Sequence, residues 1–203
     1  NVSEDAAPVT VDMEVDVGLQ LARMVGYPHD PAIDRCAFGH LTSGGTVANY
    51  QAMRLALALK SFPVALRAAD VPDLGVPDDD WAAFNLGPAA GTELVARWTA
   101  WLAAHSPRER AAWNARVQAE RIEQRGLCDF FAVHPALKTP WVLAPITAHY
   151  SWSKGMKLLG LGRAQLRLMP ERDMRLDIDA LHETITDCER ERQPVLMAVG
   201  VFG

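Results

Sequence analysis

Ser43, Gly44, Gly45 and Thr46 stand at the mouth of an apolar, helix-forming run, in the stretch GHLTSGGTVANYQAMRLAL at residues 39–57. Two hydroxyls and two glycines at that place are what an anion needs. A helix N-terminus has unpaired N–H groups and a partial positive charge, and glycine lets a ligand approach them closely. The hydroxyls add charge-assisted hydrogen bonds. The dipole alone contributes about 0.3–1 kcal/mol, or ~2 kcal/mol when partly buried. A phosphate suits this turn. The same residues also suit a plain helix start, in which Ser43 caps and the glycines only bend the chain, and spacing alone leaves both readings open.

His149 is the second group with chemical reach. TAHYSWSKGMKLLGLG, residues 147–162, sets it after a buried strand pattern and before a helix, at the edge where open parallel sheets hold ligands. An imidazole there either makes a structural hydrogen bond or stacks on a flat ligand, an interaction worth about 0.5–1.5 kcal/mol beyond area burial. Other signatures are incomplete. Gly39 to Gly44 has the glycine spacing of a nucleotide-triphosphate loop, but Gly45-Thr46 replaces the required Lys-Ser/Thr. GLGRAQ at residue 160 lacks the third glycine of a dinucleotide turn, and HETIT at 182 lacks the second histidine of a zinc helix. No Cys/His spacing supports a structural metal. His105 and Trp113 read as packing residues at helical spacing.

The elements that must position these groups follow from periodicity. Met13, Val17, Leu21, Met24 and Val25 share one face of a helix over 11–26, with Thr10 as its cap and Gly26-Tyr27-Pro28 as its stop. Cys36–Thr42 reads as a short strand, and the glycine turn then opens a helix to about Lys60, ended by Ser61-Phe62-Pro63. Residues 63–91, rich in Pro, Gly and Asp, read as loop with short ordered pieces. Leu94, Trp98, Trp101, Leu102 and His105 mark one helix. Ser106, Pro107 and Glu109 cap the next, so that about 63–135 forms a helical insertion. WVLAPIT from Trp141, a helix from Ser151 to Leu159, QLRLM, a helix from Asp177 to Arg192, and PVLMAVGV then alternate strand and helix. This pattern predicts an α/β fold with a mostly parallel sheet and helices on both faces.

Composition limits the function classes. The chain has 203 residues, 49% of them hydrophobic, enough for a substantial core. A net charge of −5 from mixed acids and bases leaves no basic stripe for nucleic acid. Cys36, Cys128 and Cys188 are too few and too scattered for a disulfide framework, which points to reduced thiols and the cytoplasm. No stretch reaches the roughly 18 apolar residues of a membrane span, and the first residues lack a signal-peptide pattern. Asn1-Val2-Ser3 matches a glycosylation triplet, a pattern common by chance.

LTSGGTVANYQAMRLAL and TAHYSWSKGMKLLGLG, with RLDIDALHETI and PVLMAVGV, resemble the group II pyridoxal-phosphate-dependent amino-acid decarboxylases, the family of glutamate and aromatic amino-acid decarboxylases. APVTVDMEVDVGLQLARMVGYP and the helical insertion are similar to its bacterial tyrosine decarboxylase branch. The order of segments agrees across nearly the whole chain. The resemblance implies a fold-type I (aspartate-aminotransferase-like) large domain, of which residues 1–203 are the N-terminal part. It implies pyridoxal 5'-phosphate as cofactor, an amino-acid substrate, and a homodimer with active sites at the subunit boundary.

Residue by residue, the resemblance assigns Ser43, Gly44, Gly45 and Thr46 to a phosphate cup supported by Asn49. It sets His149 against the pyridine ring as the catalytic residue, with Ser151 nearby. Thr10 falls in the Pro8-Val9-Thr10 segment that lines the substrate pocket, while Val11 stands where some aromatic-specific members carry a hydroxyl. The family's Schiff-base lysine and the aspartate paired with the pyridine nitrogen are expected outside these residues, in a lysine-bearing part and a small C-terminal domain. Lys154 and Lys157 do not match the lysine's position. The residues present are therefore expected to be inactive alone. The implied reaction is decarboxylation, with an aromatic amino acid such as tyrosine favoured over an acidic one because no arginine is placed against a second carboxylate. An aldehyde-forming oxidative deaminase and a non-catalytic subunit serving as a dimer scaffold are the alternatives.

Overall fold

In the computed structural model, which describes residues 8–33 and 36–201, the chain forms two units, Asn1–Ala48 and Asn49–Gly203. In the first unit, helix α1 (Pro8–Met24) begins earlier than its apolar periodicity predicts, so Thr10 lies inside the helix instead of capping it. Its end follows the sequence signal. Gly26 takes φ +82°, Tyr27 N–H donates to Ala22 O at 2.9 Å, and Gly26 N–H donates to Arg23 O at 3.2 Å. That pair of bonds satisfies the last carbonyls of α1 around a left-handed glycine.

The strand expected over Cys36–Thr42 is not formed among its described residues. An apolar run becomes a strand only when a neighbour takes its backbone groups. Here Ala37 N–H donates to Pro28 O at 2.8 Å, and Leu41 N–H donates to the Glu14 carboxylate at 2.6 Å. The segment is fastened to loop and side-chain acceptors instead.

Helix α2 (Gly45–Ala68) starts at the glycine turn but does not stop at Pro63. Proline forfeits one helical hydrogen bond and crowds the preceding turn, at a cost of about 3 kcal/mol. Val64, Ala65 and Leu66 beyond it are fully buried, and their burial offsets that loss. Five further helices precede the sheet: α3 (Asp80–Phe84), α4 (Pro88–Ala103), α5 (Pro107–Glu120), α6 (Ile122–Arg125) and α7 (Leu127–Val133). Asp79 caps α3, and its carboxyl is held below the usual carboxylate range, first by the Ala82 N–H. Helix α5 has the reciprocal Ser106/Glu109 box that its sequence announces. His105 and Trp113 pack on Trp101, at ring-centroid distances of 4.1 and 5.3 Å.

The sheet comes last. Strand β1 (Trp141–Pro145) leads to α8 (Ser151–Leu158), β2 (Leu166–Met169), a hairpin of β3 (Glu171–Arg172) and β4 (Arg175–Leu176), α9 (Ile178–Arg190) and β5 (Val195–Ala198). The strand order is β2-β1-β5, both pairings are parallel, and Val142 lies opposite Leu166. The fold is α/β, with a small parallel sheet and many helices. Strand β1 is central, and Val142, Leu143 and Ala144 are all buried, so both of its faces are covered. Val142 and Ala144 join Met53, Phe84, Phe130, Trp152 and Met156 in one core cluster. Phe62, Leu66, Leu94 and Trp98 form another under the helices. No described helix is long and apolar enough to cross a membrane.

Candidate active site

The turn that opens α2 adopts a backbone geometry that favours glycine. Gly44 has φ +144°. Its carbonyl accepts from Val47 N–H at 3.0 Å and Ala48 N–H at 3.1 Å, and the Thr42 hydroxyl donates to the same oxygen at 3.1 Å. Gly44, not Ser43, therefore holds the cap position, because the first helical bonds end on its carbonyl. A side chain at Gly44 is strained by about 1–3 kcal/mol. A Cβ built on Gly44 or Gly45 meets nothing within 4 Å, so there is open space beside this backbone. The sequence from Cys36 to Met53 contains no acid, and the carboxylate that reaches the segment is that of Glu14, at Leu41 N–H. Thr10, also in the first unit, lines a hollow of about 360 Å³ with Met13, Glu14, Val17 and Leu41.

In the second unit, the chain leaves β1 at Pro145, whose carbonyl accepts from Ala148 N–H at 2.8 Å. His149 follows, with its side chain exposed at the carboxyl end of the central strand. Ser151 Oγ lies 2.9 Å from His149 Nδ1, and Ser151 N–H donates to the same nitrogen at 3.2 Å. On its other side Ser151 Oγ accepts from Asn49 Nδ2 at 2.8 Å, a bond between residues 102 apart in sequence. Ser151 is only 1% exposed. Asn49, Ser151 and His149 thus form one hydrogen-bonded chain from helix α2 to the end of β1. The side chain of Asn49, expected to support the cup, bonds to Ser151.

Packing one turn along each helix makes this meeting possible. Met53, one turn beyond Asn49, lies against Gly155, one turn beyond Ser151. A Cβ built on Gly155 falls 1.9 Å from Met53 Cε, and Met53 is fully buried. A larger side chain at 155 meets the thioether end of Met53, which must shift to admit it, and glycine there lets Met53 of α2 lie directly against α8.

Tyr150 escaped the sequence reading, and Lys154 entered it only as a lysine that does not match the Schiff-base position. Tyr150 sets its ring 4.1 Å from that of His149, tilted by 41°, and Lys154 Nζ sits 4.4 Å above the Tyr150 ring. The spacing of Tyr150 and Lys154, one helical turn, was the available signal. Farther off, a hollow of about 540 Å³ along β5 is lined by Lys60, Trp81, Cys188 and Gln193 among others. Lys60 Nζ donates to Phe84 O at 3.2 Å, and burial lowers its pKa from 10.5 to about 8. Burial likewise pushes the Cys188 thiol up.

No protein-family model matches the chain. Along its whole length it is similar to three proteins named L-tyrosine decarboxylase. It is 29% identical over 204 residues to that of Levilactobacillus brevis, covering 28% of that protein. It is 28% identical over 204 residues to those of Enterococcus faecalis and Enterococcus faecium, covering 28% and 29% of them. The chain therefore spans between a quarter and a third of the length of the relatives it matches.

Proposed function

We propose that the chain forms part of the cofactor-binding large domain of a fold-type I, group II pyridoxal-phosphate-dependent decarboxylase. Its substrate is an aromatic L-amino acid such as tyrosine, and its products are the amine and CO₂. The observation that carries the reading is the Asn49–Ser151–His149 chain, which fixes an exposed imidazole at the carboxyl end of the central parallel strand. Similarity over the whole chain to three tyrosine decarboxylases supports the choice of reaction and substrate.

The donor set of the glycine turn fits a phosphate. Open space beside Gly44 and Gly45, the N–H groups of a helix start and two hydroxyls are what a dianion requires. Ser43, Gly44, Gly45 and Thr46 hold the phosphate in this reading, His149 lies against the pyridine ring with Ser151 behind it, and Thr10 lines the substrate side. When bound, pyridoxal phosphate supplies the electron sink for the bonding pair left behind as CO₂ departs. The chain's own residues orient and retain that group: the helix start holds its charged end, and the imidazole holds its ring flat. A homodimer with the active site at the subunit boundary, in the cytoplasm, belongs to the same proposal.

The test is CO₂ release from each of the twenty amino acids by the full-length protein supplied with pyridoxal phosphate. Tyrosine or another aromatic amino acid is expected to give CO₂ and amine in equal amounts. Aldehyde with ammonia would assign an oxidative deaminase instead. A stable dimer that takes up no borohydride-reducible yellow cofactor would assign a scaffold.

A further inference from the structure

The direction of each hydrogen bond around His149 is fixed by one group that has no choice. A backbone N–H only donates, and Ser151 N–H points at His149 Nδ1 from 3.2 Å. His149 Nδ1 is therefore an acceptor, and the ring proton sits on Nε2. The Ser151 hydroxyl, 2.9 Å from the same nitrogen, must then donate to it as well. Its oxygen is left to accept, and the group that reaches it at 2.8 Å is the amide nitrogen of Asn49. Every donor in the chain points the same way: Asn49 to Ser151, Ser151 to His149.

We infer that Asn49 and Ser151 are positioning residues that commit His149 to a single tautomer and a single ring orientation, so that it presents an Nε2–H donor to whatever binds beside it. The amide oxygen of Asn49 plays no part at Ser151; only its N–H₂ does. An isosteric carboxylate at position 49 reverses the chain, because it accepts the Ser151 hydroxyl hydrogen and turns the oxygen's lone pairs toward Nδ1. Burial of Ser151 at 1% exposure keeps water from supplying a substitute donor. The tautomer needs no ligand. Its use, a donor offered to the group that His149 stacks on, rests on the cofactor reading above.

The experiment is nitrogen-15 NMR of histidine-labelled protein without cofactor, at pH about 8.5, above the ordinary imidazole range. The parent is expected to show His149 with an unprotonated Nδ1 and a protonated Nε2. Asn49→Asp is expected to shift the ratio of the two tautomers toward Nδ1–H by about threefold to tenfold, the equilibrium equivalent of one net hydrogen bond. Ser151→Ala, which keeps the backbone donor and loses the hydroxyl, is expected to give a smaller shift in the same direction and serves if Asn49→Asp does not fold. A parent with Nδ1 protonated, or a ratio unmoved in folded variants, overturns the inference. Cofactor uptake measured separately tells the two failures apart. Uptake with CO₂ release but the wrong tautomer removes the positioning role, whereas the right tautomer without uptake removes the cofactor reading and leaves the tautomer standing.

Discussion

Replacing His149 with alanine in the full-length protein is expected to lower the decarboxylation rate about 10²-fold, while the affinity for pyridoxal phosphate falls no more than about tenfold. Two magnitudes produce this split. Stacking of one ring on another contributes about 0.5–1.5 kcal/mol, and 1.4 kcal/mol corresponds to a factor of about ten in a dissociation constant. Most of the hold on the cofactor would come from the phosphate contacts, which the substitution leaves alone. Alignment of the reacting group is more sensitive: a misplacement of about 1 Å costs roughly 10²-fold in rate. Steady-state CO₂ release gives the first number, and a cofactor titration gives the second. Turnover equal to the parent's would remove His149 from the chemistry, and equal losses in both quantities would make it a binding residue only. His149→Phe keeps the flat ring without Nε2–H and should retain affinity but not rate.

The contact between Gly155 and Met53 is expected to give the largest effect on stability. Gly155→Ala puts a methyl where a built Cβ lies 1.9 Å from Met53 Cε, and Met53 has no solvent side to swing toward. Overpacking of this kind costs about 1–3 kcal/mol. Met53→Ala alone removes a fully buried side chain and should cost about 2–5 kcal/mol through the cavity it leaves. The double variant should be more stable than the sum of the two by about 0.5–3 kcal/mol, because the new methyl enters the space that Met53 vacates. Thermal unfolding of the four proteins measures this coupling. Strict additivity would mean that the two helices are not held by this contact. The same Gly155→Ala protein should show a disturbed His149 resonance, since separating α2 from α8 pulls Asn49 away from Ser151.

Legibility of the sequence depended on whether a local signal had to compete with tertiary structure. The box of Ser106 and Glu109, the glycine that ends α1, and the apolar runs of β1, β2 and β5 are local and were met where expected. Pro63 is a strong local stop, yet burial of Val64, Ala65 and Leu66 overrode it, and no single-residue preference reports that. Cys36–Thr42 has the composition of a strand, but pairing is a property of a neighbour and not of the run itself. The β3–β4 hairpin was silent because Asp173 and Met174 take φ +52° and +60° with no glycine to mark the turn. At the candidate site, residue types were readable and directions were not. Asn49 looked like a helix-start residue near an anion, and only the fold brings it across 102 positions to Ser151.

The proposed function requires one vitamin B6 coenzyme to be held at its phosphate by the Ser43–Thr46 turn and at its ring by His149. A crystal structure of the full-length protein with pyridoxal phosphate bound tests this directly. The expected result is phosphate oxygens within hydrogen-bond distance of the Gly45 and Thr46 amides and of the Ser43 and Thr46 hydroxyls, with the pyridine ring stacked on the His149 imidazole. A coenzyme bound elsewhere, or a turn and a histidine that open onto separate surfaces, would contradict it.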